Sequence, residues 1–440
     1  MSCLQQNWFR NALQGQDQLR QRTAFTLSQI WVISGITINT PAAYNPYIKL
    51  LNNDSFTTYD KLMKDVTLSP QMGWYLDMAN SAKAVNGAIA NENYARELMQ
   101  LFTLGTELLN DDGTPKLDVG GHIIATYDQP TIQAFARAFT GWTYKAASGP
   151  QGFPTSTSQA DWNSSMVPFD VQHDTGAKTL LNGTVLPAAQ SAQQDLNGAL
   201  ANIFAHPNVP PFVSKQLIQH LVTSNPSPAY VARISAVFKN NGSNVRGDLK
   251  AVIKAILLDP EARGGDTTAS PVGFGHLREP VFFVTSSLRG LSFNVTDQNL
   301  FAFALASSGS SMGQNVLFSP SVFNYFPPDY IVPGTTVLGP EFAIQTTSTT
   351  LTRANFVDTV VRNGLVSQGI SFDFSGFRGL PADQLTEQLN QKFLHGQMSA
   401  AMKNSMISTL SHLPASSDPD VQARTAIYLV LTSSQFQVVQ

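Results

Sequence analysis

The chain has 440 residues, 42% of them hydrophobic, enough to bury the core of one large domain or of two to three smaller ones. A net charge of -3 excludes a protein built to neutralise nucleic-acid phosphates, and it gives no reason to expect an anionic membrane surface as partner. Charged residues make up 13%, about half the usual share of roughly 25%, and Ser, Thr, Asn and Gln take their place, as in exported rather than cytosolic proteins. The single cysteine, Cys3, can form no internal disulfide, thiolate cluster or redox pair. No run approaches the ~20 apolar residues that span a bilayer. Residues 1–22 are polar and lack the apolar segment of a signal peptide. The expectation is a mature or truncated chain whose export signal lies upstream, working in the periplasm or outside the cell. A cytosolic protein is the competing expectation.

In chain order, residues 4–34 read as one helix, with an apolar run from Ala24 to Val32. Helices follow near 44–51 and 57–67, and Ser69-Pro70 opens a short one through Trp74 and Leu76. After a Gly- and Ala-containing loop at 80–90 comes the stretch with the densest polar content, Asn91-Glu92-Asn93-Tyr94-Ala95-Arg96-Glu97. Asn91 or Asn93 can cap a helix here, and Gly105 can end it. Tyr94, Leu98, Leu101 and Phe102 form its apolar stripe. Glu92 and Arg96 stand four apart and can pair along its surface.

Residues 110–128 carry Asp-Asp-Gly and Gly-Gly turn signals and read as a loop or hairpin. A helix runs from Gln129 to Phe139, with Ile132, Phe135, Ala136 and Phe139 on one face. Residues 150–170 read as an irregular surface loop, and 169–186 as short strands or a β-hairpin. Helices are expected at 188–204, 211–222, 230–240 and 246–258. A second loop covers 261–275, followed by a helix at 277–291 around Pro280 and another at 297–306. Residues 320–339, rich in Pro and Gly, read as a long ordered loop. Helices resume at 341–355, 356–363, 385–394, 399–410 and 418–432. The fold class is mainly α, a multi-helix globular bundle with long irregular loops and minor β-hairpin content. It is read as a single large domain over 1–440, with sub-boundaries in the loops 143–170 and 261–276.

Three blocks carry a resemblance. Asn91 to Leu98 followed by Leu101-Phe102-Thr103-Leu104-Gly105, then Ala134-Phe135-Ala136-Arg137-Ala138-Phe139-Thr140-Gly141-Trp142, then His173-Asp174-Thr175-Gly176-Ala177-Lys178 resemble successive signatures of a bacterial family, domain of unknown function 1800. The likeness continues through 316–330 and covers nearly the whole chain. It implies an exported bacterial protein and leaves the activity open. It also implies a partner, because genes of this family often lie beside one for a sulfatase-like protein. Members usually carry an export signal and a further N-terminal helical segment, whereas this chain opens inside the domain.

Several residues can carry chemistry. Glu97 or Glu92 can act as acid, base or metal ligand, and Arg96 can hold a carboxylate, phosphate or sulfate through two parallel bonds. The alternative is an ion-pair and amide network, with Asn91 and Asn93, that sets how neighbouring helices dock. His173 and Asp174 with Lys178 can bring an imidazole, a carboxylate and an ammonium together for acid–base work or to bind one metal ion. The alternative is a turn in which Asp174 caps the following N–H groups. Arg137 shares a helix face with Gln133, and Trp142 can stack on a sugar ring or fill the core. Arg278 opens a helix before Pro280. No zinc spacing, phosphate loop, dinucleotide turn or serine-hydrolase elbow appears, and no cofactor is indicated. Residues 315–330 hold five aromatics and three prolines, and can line a binding surface or cover a helical core.

Three functions compete. The leading one is an exported binding or accessory protein in the processing of an extracytoplasmic polymer, a polysaccharide in the first place, beside a sulfatase-like partner. The second is a hydrolase or lyase with Glu97, Arg96, His173 and Asp174 in one cleft. The third is a cell-surface scaffold. The enzyme needs Glu97, Arg137, His173 and Lys178 to converge in one solvent-reachable pocket. The binding protein needs a buried, fully paired cluster on the central helix at 91–97 and an exposed aromatic patch; the scaffold needs neither.

Overall fold

Apolar residues recur at helical spacing through most of the chain, and helices form where they do. The computed structural model describes residues 1–85, 89–264, 273–414 and 418–439. The loops expected at 80–90 and 261–275 lie partly outside the described residues. Helices account for 54% of the structure and the strands are few and short, so the protein is mainly α. No described helix is long and apolar enough to cross a membrane.

The chain divides into two compact units. One comprises Met1–Gln18, Val222–Asn225 and Pro260–Gln440; the other comprises Leu19–Leu221 and Pro226–Asp259. Residues 143–170 lie inside the second unit, and the passage at 259–260 borders the loop at 261–276.

In the first unit, the helix Ser2–Gln14 packs on Gln298–Ser311 and Pro280–Arg289. Thr347–Asn363 packs on Val421–Thr432, and Ala382–Leu394 on Ala400–Ser411. A four-residue antiparallel ladder, Ser292–Val295 with Ile370–Asp373, was not legible as strand because its residues are only half-buried. The helix expected from 277 begins instead at Pro280. A proline at the first position fits there, since its missing N–H has no intrahelical partner to lose. His276–Leu277 before it pairs as strand with Val438–Val439. The single helix expected over 4–34 is two, Ser2–Gln14 and Gln18–Ile30. Gly15 turns extended after the first, and a Cβ there would lie 2.6 Å from the Asn11 carbonyl oxygen.

The second unit is built around aromatic side chains. Trp31 lies 4.6 Å from Phe102 and 5.9 Å from Tyr59, ring centre to ring centre, and all three are buried. The Tyr59 hydroxyl donates to the Phe102 carbonyl (2.5 Å), and the Tyr94 hydroxyl bonds Thr67 Oγ1 (2.6 Å). Both of these buried hydroxyls thus find a partner.

The polar stretch at 91–105 is not one regular helix. An α segment, Asn93–Glu97, widens into a π segment, Leu98–Thr103. The wider turn puts Leu98, Met99, Phe102 and Thr103 inside, and leaves Leu101 of the expected stripe half-buried. Thr103 Oγ1 donates to the Leu98 carbonyl, and Leu104 N–H reaches back to Met99. Gly105 ends the segment at φ +73°, and an added Cβ would fall 2.7 Å from the Phe212 ring. Asn91 Oδ1 accepts from Asn93 N–H just before the helix (2.9 Å). The hairpin expected within 169–186 forms as Lys178–Thr179 with Val185–Leu186.

Candidate functional site

The polar residues singled out in the sequence fall into two groups in the second unit, at opposite ends of the helix Gln129–Ala138. Its N-terminus is capped by Asp128, which accepts from Thr131 N–H. Gln129 belongs to one group and Arg137 to the other, about 12 Å apart in helical rise. Among the described residues no hydrogen bond or ion pair joins the groups.

The group at the C-terminal end is closed. Arg137 grips Asp174 with two parallel bonds, Nε to Oδ2 at 2.8 Å and Nη2 to Oδ1 at 2.9 Å. This guanidinium, before any other cause, holds the Asp174 carboxyl below the usual carboxylate range. Asp174 Oδ1 also accepts from Gly176 N–H, the turn expected of an Asp before a glycine. A Cβ on Gly176 would strike the Arg137 guanidinium at 2.5 Å, so the grip requires glycine there. Behind this pair lie His173, Lys178 and Asp195, with side chains that expose no surface at all. His173 Nε2 meets Asp195 Oδ2 at 2.9 Å, and Nδ1 meets the Thr140 carbonyl at 2.9 Å. Lys178 Nζ donates to Asp195 Oδ2 (2.5 Å), to the Gly176 carbonyl (2.8 Å) and to the Asp174 carbonyl. Gly141, at φ +82°, lets the chain pass beside this core: a Cβ there would sit 3.0 Å from His173 Cα.

Sequence reasoning missed Asp195. It sits on the helix Ala192–Ala205 with the buried face Ala192, Leu196, Ala199, Leu200 and Ile203. An acid on an apolar stripe was the available signal, since a buried carboxylate demands a partner. Trp142 is buried at 1% exposure and its strand residue pairs with Pro168, so it offers no face to a ligand. Arg278 lies in the first unit, where its side chain donates to the Phe436 carbonyl and Ser286 Oγ. Burial pulls its pKa down to about 10.

The group at the N-terminal end is half open. Glu92 Oε2 accepts from Arg96 (2.9 Å) and from Gln129 Nε2 (2.7 Å), so the expected i,i+4 pair is present. Asn93 Nδ2 lies 3.4 Å from Asp77 Oδ2. Glu97 is half-buried just ahead of the π segment, and its Oε2 has no hydrogen-bond partner among the described residues. Burial raises its pKa, and Arg96 offsets part of that rise. Tyr75 and Tyr127 feel its charge, and burial first, then Glu97, pushes the Tyr75 hydroxyl up to about 12. Neither tyrosine stood out in the sequence, because both lie in separate short segments. Among the described residues no three His, Cys, Asp or Glu side chains gather as metal ligands.

The two groups respond differently to substitution. Asp195→Ala leaves a buried imidazole and a buried ammonium without their carboxylate, and is expected to cost about 3–5 kcal/mol in denaturant unfolding. A change below about 1 kcal/mol contradicts the sealed network. Glu97 has a raised folded-state pKa, so its contribution is fully present below the unfolded carboxyl value of about 4.3 and is lost as pH rises through the folded value. Glu97→Gln is therefore expected to be more stable than wild type at pH 7, with the difference closing as pH falls toward 4. Equal melting temperatures across that range would show that burial does not strain this carboxylate.

Among curated proteins and among solved structures, nothing matches the chain. The model of one family, described as Protein of unknown function (DUF1800), matches residues 1–438, so the chain belongs to that family.

Proposed function

We propose that this chain is an exported protein with a binding or accessory role in processing an extracytoplasmic polysaccharide, alongside a sulfatase-like partner. The observation that carries the reading is the sealing of His173, Lys178 and Asp195. A general base needs a nitrogen free to take a proton within reach of substrate. Both nitrogens of His173 already face oxygens inside the unit. The Lys178 ammonium spends its donors on two carbonyls and a carboxylate. Such a group positions helices and loops; it does not touch a polymer. The low charge of 13%, with amides and hydroxyls in place of ions, supports work outside the cell on a hydroxyl-rich ligand.

One observation favours the second reading, an enzyme. Glu97 keeps a half-buried carboxylate with a raised pKa and an unpartnered oxygen, features of a general acid. Incubation of the purified chain with sulfated and unsulfated polysaccharides separates the two, alone and with a sulfatase-like protein of the kind whose genes often lie beside those of this family. The expected result is retention of the polymer, no new reducing ends from the chain alone, and faster sulfate release when both proteins are present. Cleavage by the chain alone, abolished in Glu97→Gln at a melting temperature no lower than that of wild type, overturns the binding reading in favour of the enzyme. Neither retention nor cleavage leaves the scaffold.

A further inference from the structure

A second polar feature of the same unit stands apart from both groups. The helices Pro41–Asp54 and Tyr59–Thr67 and the loop at 162–165 line a cleft of about 370 Å³, inside the size range of small-ligand sites of about 300–1,000 Å³. Lys61 spans two carboxylates in it, Asp54 Oδ1 at 2.8 Å and Asp65 Oδ2 at 2.5 Å. The Asp54 side chain is 3% exposed, so this pair is built into the cleft and is not a passing surface contact. Lys49 stands exposed at the rim, beside the amides of Asn53 and Asn163.

Trp162 forms part of the lining and is half-buried. Its ring is braced by Trp74 at 5.4 Å and by Tyr144 at 5.7 Å between centroids. Its backbone is pinned as well. Gln71, itself 1% exposed, donates to the Trp162 carbonyl (2.9 Å) and to the Ala43 carbonyl (2.8 Å). Asp161 holds the next residues, accepting from Asn163 N–H and Ser164 Oγ. A large aromatic is thus held rigid at the edge of a polar cavity, at little entropic cost on binding.

The charges select the ligand. Two lysines and two aspartates cancel, and the lysine between the aspartates is already engaged. A polyanion meets like charge at Asp54 and Asp65, and a cation must displace Lys61. Uncharged hydroxyls are matched by the Asp65 carboxylate as acceptor and by amides that donate and accept. The C–H face of a pyranose ring matches the flat face of an indole. We propose that this cleft binds an uncharged stretch of glycan, with Trp162 as the stacking platform and Asp65, Asn53 and Asn163 as hydroxyl partners. This rests on the reading of the chain as a polysaccharide-binding protein and names the site and the segment that it holds.

Calorimetric titration of the full chain with short neutral oligosaccharides (cello-, xylo-, malto- and manno-oligomers) and with sulfated oligosaccharides tests the assignment. Wild type is expected to bind at least one neutral series more tightly than the sulfated ones. Trp162→Ala is expected to weaken that binding about tenfold, and the exposed Asn163→Ala to weaken it severalfold if the first variant folds poorly. Lys49→Gln is expected to leave it within about twofold. If wild type binds glycan but both Trp162→Ala and Asn163→Ala bind as tightly, the cleft is wrong while the polymer-binding reading stands. Preference for sulfated oligosaccharides, lost in Lys49→Gln, overturns the uncharged class. No binding of any glycan by wild type overturns both.

Discussion

Asp195 is the constraint on which the His173–Lys178 region of the Leu19–Asp259 unit depends. One carboxylate, buried on the apolar face of the helix Ala192–Ala205, holds an imidazole and an ammonium from the loop and hairpin at 173–178. Desolvating a charge is expensive, and the cost is offset only when the partner geometry is good and the other donors are also satisfied. Lys178 meets that condition through the carbonyls of Asp174 and Gly176, and His173 through Thr140, while Asp195 Oδ1 has no hydrogen-bond partner among the described residues. Asp174 then faces outward to Arg137, so the helix Gln129–Ala138 is tied to the same loop from its other side. The glycines at 141 and 176 are where that tie comes too close for a side chain.

Much of the fold was legible because the helices obey ordinary rules. Ser69, Asp128 and Ser191 each cap a helix with a side-chain oxygen, and prolines at 70, 228 and 280 stand at first positions. The Glu92–Arg96 pair and the turn at Asp174 follow from spacing alone. The widening at Leu98–Thr103 was not legible, because a π segment uses the same residue types as an α-helix. At its end the Phe102 carbonyl accepts from the Tyr59 hydroxyl of a distant helix, a tertiary contact that local propensity does not show. The break between Ser2–Gln14 and Gln18–Ile30 was missed for a different reason. Helical periodicity continues across it, and only Gly15 marks the place.

The site was half legible. Sequence brought out Arg137, His173, Asp174 and Lys178 and placed them in neighbouring blocks, and these residues do meet. What spacing cannot convey is which side of the protein surface they meet on. Asp195 decides that, and its place on the apolar stripe of Ala192–Ala205 was the signal that went unread. Glu97 stands in a separate group with Tyr75 and Tyr127, contributed by segments far apart in the sequence. Trp74 and Tyr75 are neighbours on the short helix Pro70–Tyr75, yet one braces Trp162 at the cleft and the other lies beside Glu97.

The most direct test of a closed His173–Lys178–Asp195 group is chemical access to the imidazole in the folded protein. Brief treatment with diethylpyrocarbonate, followed by peptide mass spectrometry, reads each histidine separately. His122, whose side chain is 82% exposed, serves as the internal standard. The account predicts that His122 is modified while His173 stays untouched until the protein is unfolded. Modification of His173 at a rate near that of His122, with the fold intact, would place the imidazole in contact with solvent and contradict it.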